Sequence, residues 1–300
     1  MVKPNFFIVG GPKCGTTAMA SYLQTHKDIY ICEPKEPNFF ADDLENIKFV
    51  PTLDEYLNLF KGKTDKKVLG DASIFYMFSD SAIENIYKYN KEAKLLVMIR
   101  NPLEMVPSFH AQILFTMEED QEDFDRALEL ESARISRKRI PKYNRAPKLL
   151  QYSNIAKYGD QLEKIYKFFP KEQVKVLVFD DFKINNRNAY VEVLNFLELE
   201  DDGKTEFEKV NEAKEAKSKF LNKFINRPPQ FTMNIAKGVR KILNVPRLGV
   251  KSYFSKLNRK KAAKPVLSEN TLNYLIDIYR EDVTKLSKIL NRDLSHWLKN

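Results

Sequence analysis

Four apolar residues, Phe6-Phe7-Ile8-Val9, run into Gly10-Gly11-Pro12-Lys13-Cys14-Gly15-Thr16-Thr17, after which Ala18, Met19, Tyr22 and Leu23 recur at helical spacing. A buried strand that ends in a loop of small residues and opens into a helix restricts the chain to few folds. Gly10, Gly11 and Gly15 let the backbone turn tightly enough for several N–H groups to face one anion. The positive end of the following helix reinforces them, so the segment predicts a phosphate-binding loop.

A nucleoside-triphosphate loop has glycine, four residues, glycine, lysine and then serine or threonine. Gly10 and Gly15 keep that spacing, but Thr16 stands at the lysine position and the lysine lies inside the loop, at Lys13. The ammonium is therefore expected to address a different ligand atom. Thr16 and Thr17 offer hydroxyls as well as amides, which suits an anion held without magnesium. The competing reading is a plain glycine turn between strand and helix. Cys14 also has two readings: a thiol acidified by Lys13 and the helix end, or a small residue filling the loop.

Further apolar runs end in polar or glycine residues. Val68-Leu69 reads as a short strand stopped by Gly70-Asp71, Leu95 to Ile99 as a second, and Val174 to Phe179 as another followed by a turn at Asp180-Asp181. Helices are predicted from Arg100 to Phe115 with Pro102 in the first turn, around Phe124 to Leu128, from Tyr158 to Phe169, and through Val191, Leu194 and Leu197. The prolines of Tyr30 to Phe40 forbid a regular helix and place this stretch as a loop across the site. The final helix, about 268–290, carries Leu272, Leu275, Ile276, Tyr279, Val283, Leu286 and Leu290 on one face, with Ser268 capping and Asn291 stopping it. The alternation predicts a three-layer αβα fold with a central parallel sheet and a P-loop-like phosphate loop. Ligands in such sheets sit at the carboxyl ends of the strands, which gathers Lys13, Thr16, Asp71 and Arg100 on one edge.

Charge is regional. The formal charge is +9, yet Lys214 to Lys264 alone holds fifteen Lys or Arg against one acid, Glu215. The expectation is one domain over 1–300, with a basic, mainly helical segment at about 212–264 inserted before the last helix. Phe231, Ile235, Val239 and Ile242 make one apolar face within that segment. No stretch approaches the ~20 apolar residues of a membrane span, and Met1-Val2-Lys3-Pro4 leads straight into the first strand without room for a signal peptide. Cys14 and Cys32 are the only cysteines. With no disulfide framework implied, a cytoplasmic setting is expected. His26, His110 and His296 have no metal-ligand spacing, so no metal is expected.

These motifs resemble those of sulfotransferases that use 3′-phosphoadenosine 5′-phosphosulfate (PAPS). Gly11 to Thr17 is similar to their 5′-phosphosulfate loop, and Ile99-Arg100-Asn101-Pro102 with Ser108 to their 3′-phosphate motif. Lys35-Glu36-Pro37-Asn38-Phe39-Phe40 resembles the segment after the first helix in heparan-sulfate-type and related bacterial members, and Asn291 to Trp297 their C-terminal signature. The resemblance implies that Lys13, Cys14, Gly15, Thr16 and Thr17 hold the phosphosulfate, that Arg100 and Ser108 hold the 3′-phosphate, and that Arg259-Lys260-Lys261 loosely represents the nucleotide loop. It further implies Lys13 as stabiliser of the departing bisphosphate and Glu36 as base.

His110 is the rival base, and the bland reading of Glu36 is that it pairs with Lys35 or caps a helix. Ala72 stands where many heparan-type enzymes have a lysine, so that glycan contact does not carry over. The acceptor implied is a hydroxyl, less readily an amine, of a glycan-like or small molecule, with an anionic one suited to the basic segment. No nucleic-acid partner is expected. Two other functions stand beside this one: a P-loop-type kinase, against which Thr16 argues, and a non-enzymatic adaptor docking on an anionic membrane or nucleic acid through the basic segment.

Overall fold

Five short strands form one parallel sheet in the order β2-β3-β1-β4-β5. They are β1 (Phe6–Ile8), β2 (Ile29–Ile31), β3 (Val68–Ala72), β4 (Lys94–Ile99) and β5 (Val174–Val178). A computed structural model describes residues 3–44, 46–208, 214–216, 259–261 and 267–299. The strands read as near-continuous apolar runs because both faces are covered: Phe6, Phe7, Ile8 and Leu95 to Ile99 have no solvent exposure. The helices sort into two packed groups. On one side α1 (Thr16–Leu23) meets α10 (Asn186–Phe196); on the other α4 (Pro102–Phe115), α7 (Tyr152–Ile155) and α8 (Tyr158–Tyr166) pack with α11 (Glu269–Leu290). This is the three-layer αβα architecture expected.

Several elements depart from the sequence reading. Tyr30 and Ile31 belong to edge strand β2, so the crossing loop begins only at Cys32. Strand β3 does not stop at Gly70 but continues through Asp71 and Ala72. Glycine fits inside it, since a Cβ there would lie 2.4 Å from Ile31 Cδ1 and would push that side chain aside. Asp180 and Asp181 form the first turn of α9 (Phe179–Ile184) rather than a free turn. Helices α2 (Leu53–Asn58) and α3 (Ala82–Tyr89) add to those foreseen, α2 starting on a capping box of Thr52 and Glu55. Short helices α5 (Phe124–Glu129) and α6 (Glu131–Ile135) follow α4.

Helix α11 begins and ends as its sequence suggests: Ser268 Oγ accepts from Thr271 N at 3.2 Å, and Asn291 closes it in a left-handed conformation, φ 48°. Its buried Asp282 accepts from the backbone N–H of Gly159 and Asp160, each at 2.9 Å, and so caps the start of α8. Of the basic segment, the described ends are strands: β6 (Lys214–Ala216) and β7 (Arg259–Lys261) pair antiparallel, with β6 beside α4. The apolar face of Phe231, Ile235, Val239 and Ile242 lies outside the described residues.

Candidate functional site

The phosphate loop leaves β1 pinned to its neighbour. Val9 N donates to Leu96 O and Gly11 N to Met98 O, both at 3.0 Å. Gly10 is obligatory, because a Cβ there would lie 2.3 Å from Met98 N. Lys13 takes φ 61° and Gly15 φ 87°, two left-handed residues that curl the loop over the start of α1. Gly15 is the N-cap, so the N–H groups of Thr16 and Thr17 open the helix facing the loop. A Cβ on Gly15 would come within 2.9 Å of the Phe182 ring, so α9 closes that side of the cradle.

Cys14 resolves in favour of the loop-filling reading. Its thiol is fully buried, donates to Pro12 O at 3.3 Å and lies 3.6 Å from Tyr158 Oη. Burial pushes it up to about 12, and the charges of Arg100 and Lys13 only partly oppose this. Burial and these bonds thus favour a packed, protonated thiol over an acidified one.

Arg100 sits where β4 ends and α4 begins. Its Nη1 donates to the carbonyl of Lys13 at 3.2 Å, its Nε and Nη2 fork onto Glu104 Oε2 at 3.2 and 2.7 Å, and its guanidinium lies 4.8 Å from the Phe179 ring centroid. The arginine is thus tied to the phosphate loop although 87 residues separate it from Lys13. Ser108 lies half-buried two turns along α4. The pairing of β7 with β6 brings the backbone of Arg259 and Lys260 toward that same helix.

The loop after β2 crosses the carboxyl edge of the sheet. Glu36 has φ 64° and Asn38 φ 51°, which only a well-held loop sustains in residues other than glycine. The hold comes from β3. Asp71, fully buried at the strand's end, accepts from Ser73 Oγ (2.7 Å), Tyr76 Oη (2.8 Å) and Tyr56 Oη (2.9 Å). Ser73 Oγ in turn accepts from Asn38 N at 3.1 Å and Tyr76 Oη from Phe40 N at 3.4 Å. Burial pushes the Asp71 carboxyl up to about 6; the three hydroxyl bonds oppose the rise and the charge of Glu36 adds to it. On the other side of the loop, Lys35 Nζ reaches Thr17 Oγ1 at 3.0 Å and Glu36 Oε1 at 3.2 Å. The pairing of Glu36 with Lys35 therefore occurs, but at the phosphate loop rather than apart from it.

His110 is enclosed by packing. It is buried between Phe124 and Tyr152, with Nε2 2.8 Å from Gln121 O, and burial lowers its pKa. Around it, the fully buried Arg134–Glu119 pair (2.7 Å) and Tyr152 Oη on Glu119 (2.6 Å) fix the chain beyond α4. Among the described residues, no group of three His, Cys, Asp or Glu could hold a metal ion, and no helix is long and apolar enough to cross a membrane.

Comparison with known proteins gives this geometry a lineage. The family model described as "Sulfotransferase domain" matches residues 3–264, a span that includes the phosphate loop, Glu36, Arg100, Ser108 and Arg259-Lys260-Lys261. The chain belongs to the sulfotransferase-domain family. It is similar to carbohydrate sulfotransferase 15 of Mus musculus, 26% identical over 248 residues that cover 65% of this chain and 44% of that protein. It is also similar to heparan sulfate glucosamine 3-O-sulfotransferase 6 of Homo sapiens, 30% identical over 111 residues covering 37% and 31% of the two chains. The chain thus spans less than half the length of these relatives. A crystal structure of a sulfotransferase from Alicyclobacillus acidocaldarius superposes over 100% of both chains with a TM-score of 0.70 at 24% identity, which establishes the shared fold.

The C-terminal sulfotransferase-like signature has a visible purpose in this chain. Arg292 Nη2 donates to Asp181 Oδ1 at 2.9 Å and Trp297 Nε1 to Asp180 Oδ2 at 3.1 Å, which clasps the first turn of α9. Helix α9 carries the Phe179 and Phe182 rings that lie against Arg100 and Gly15. Sequence reasoning missed three parts of the site: the Ser73 and Tyr76 hydroxyls, the Phe179 ring and the Lys35–Thr17 bond. Only Phe39-Phe40 hinted at the first, by demanding burial for the loop.

Proposed function

We propose that the protein is a PAPS-dependent sulfotransferase acting on a hydroxyl of a glycan-like acceptor. When bound, PAPS supplies a sulfuryl group on a phosphate leaving group, and transfer leaves adenosine 3′,5′-bisphosphate. The donor set fits it: a loop closed on one side by the Phe182 ring against Gly15, opening N–H groups of α1, two hydroxyls and an ammonium, with an arginine fork beside it.

In this reading Thr16, Thr17 and the loop N–H groups hold the 5′ end, and Arg100 and Ser108 the 3′-phosphate, with Arg259 and Lys260 in support. Lys13 lies inside the loop, where its ammonium meets the negative charge that grows on the departing phosphate; one such preorganised donor is typically worth roughly 3–4 kcal/mol. Glu36 accepts the proton of the acceptor hydroxyl at its carboxylate as the oxygen bonds to sulfur. Asp71, through Ser73 and Tyr76, keeps that carboxylate at the sheet edge.

The observation that supports this reading most is that Thr17 of the anion loop and Glu36 meet on one ammonium, within 3.0 and 3.2 Å of Lys35 Nζ. The relatives named for carbohydrate and heparan sulfate substrates support a glycan acceptor. The test is transfer of radiolabelled sulfate from PAPS to a panel of glycans by wild type and Glu36→Gln. Label in the wild-type product, with transfer lost in the variant while bisphosphate affinity stays, supports the assignment. Equal transfer by both removes Glu36 from the role of base.

A further inference from the structure

Lys35 is a residue that neither the loop motif nor the base assignment accounts for. Neighbouring residues on extended backbone project to opposite sides, yet Lys35 and Glu36 converge, because Glu36 takes φ 64°. That conformation is held from behind: Asn38 Nδ2 donates to Glu36 O at 2.9 Å, Asn38 N is bound to Ser73, and Pro37 is buried. The Lys35 side chain is only 24% exposed, so its ammonium is committed to this spot rather than ranging over the surface.

Its partners define its chemistry. A hydroxyl has one proton and two lone pairs, whereas an ammonium can only donate. Lys35 Nζ, 3.0 Å from Thr17 Oγ1, occupies a lone pair of that oxygen and leaves the hydroxyl proton to be given elsewhere. Thr17 is the second residue of α1, beside the N–H groups that face the loop, so an anion in the cradle is the acceptor within reach. A second N–H of the same ammonium holds Glu36 Oε1.

We propose that Lys35 is a positioning residue: it turns the Thr17 hydroxyl proton toward the bound phosphosulfate and holds the Glu36 carboxylate beside it, so that donor and base are aligned by a single cation. This rests on the sulfotransferase reading above. An ammonium in this place also explains how an acidic base tolerates standing next to a highly anionic donor.

The test is calorimetric titration of adenosine 3′,5′-bisphosphate into wild type, Lys35→Met, Thr17→Val and the double variant, with steady-state kinetics on the same proteins. Thr17→Val is expected to weaken bisphosphate binding about tenfold, Lys35→Met by at least as much because it also leaves Glu36 without its cation, and the double change no more than Lys35→Met alone, since the hydroxyl is no longer oriented once Lys35 is gone. Turnover of Lys35→Met should fall more than tenfold with acceptor KM within about twofold, and Lys35→Arg should recover part of it. Lys35→Gln, which keeps a donor without the charge, serves if the methionine variant does not fold. Full bisphosphate affinity in Lys35→Met, or additive losses in the double variant, would overturn the proposal. Failure of the wild type itself to bind the bisphosphate would instead sink the donor reading on which it rests.

Discussion

The two halves of the site are held by different kinds of contact. The donor loop is fixed chiefly by main chain against main chain, Gly10 against the backbone of Met98 and Gly11 N on Met98 O, with the Arg100 side chain donating to the Lys13 carbonyl. The loop bearing Glu36 is joined to β3 by main chain at its first residue, Cys32 N on Gly70 O at 2.9 Å; around Glu36 itself it hangs from the hydroxyls of Ser73 and Tyr76, both oriented by one buried carboxylate, Asp71. Backbone packing tolerates almost no change at its glycines, whereas a hydroxyl network is adjustable and depends on the charge at its centre. A rigid first half and a more adjustable second half is a division that follows from these contacts.

The sharpest break between the halves is expected from Lys13→Ala, which should lower turnover by about 10²–10³ while thermal stability stays within about 0.5 kcal/mol of wild type; single-turnover transfer assays and melting curves check it. Gly10→Ala attacks the same half through packing and should cost about 3 kcal/mol of stability, because the new methyl meets backbone that cannot yield; denaturant unfolding reads this directly.

The half that carries Glu36 answers to pH. Asp71, at about 6 in the folded chain against 3.8 as its ordinary value, holds its proton more tightly folded than unfolded. Its contribution to stability is full below pH about 4 and is lost as pH rises through 6. The advantage of wild type over Asp71→Asn should therefore shrink by on the order of 3 kcal/mol between pH 4 and pH 7, and paired melts at the two pH values would show it; a constant difference contradicts the assignment. Ser73→Ala is the mildest probe. It leaves Asn38 N without its partner and should cost about 1–3 kcal/mol, with bisphosphate binding unchanged and turnover lowered.

What could be read from the sequence follows the same division. The donor loop was legible because glycine spacing, an apolar strand and a helix are local signals, and the parallel sheet followed from their repetition. Arg100 was placed on the correct edge by the rule that ligands gather at strand ends. The Asp71 network was not legible, since it joins Asn38, Tyr56, Ser73 and Tyr76 through side-chain bonds that no periodicity records. Gly70 misled for a related reason: glycine usually ends a strand, but here the Ile31 side chain occupies the space that its Cβ would need. The enclosure of His110 by Phe124, Tyr152 and Gln121 was not legible either, since side-chain packing leaves no mark in its spacing.

The claim at the centre is that the loop of Lys13 and the fork of Arg100 together recognise an adenosine carrying phosphate at both its 3′ and 5′ ends. Calorimetric titration of wild type and Arg100→Ala with adenosine 3′,5′-bisphosphate, adenosine 5′-monophosphate and ATP with magnesium tests it most directly. Wild type is expected to prefer the bisphosphate without any need for magnesium, and Arg100→Ala to lose that advantage over the monophosphate. Equal affinity of wild type for the two adenosines, or a preference for magnesium-ATP, would contradict it.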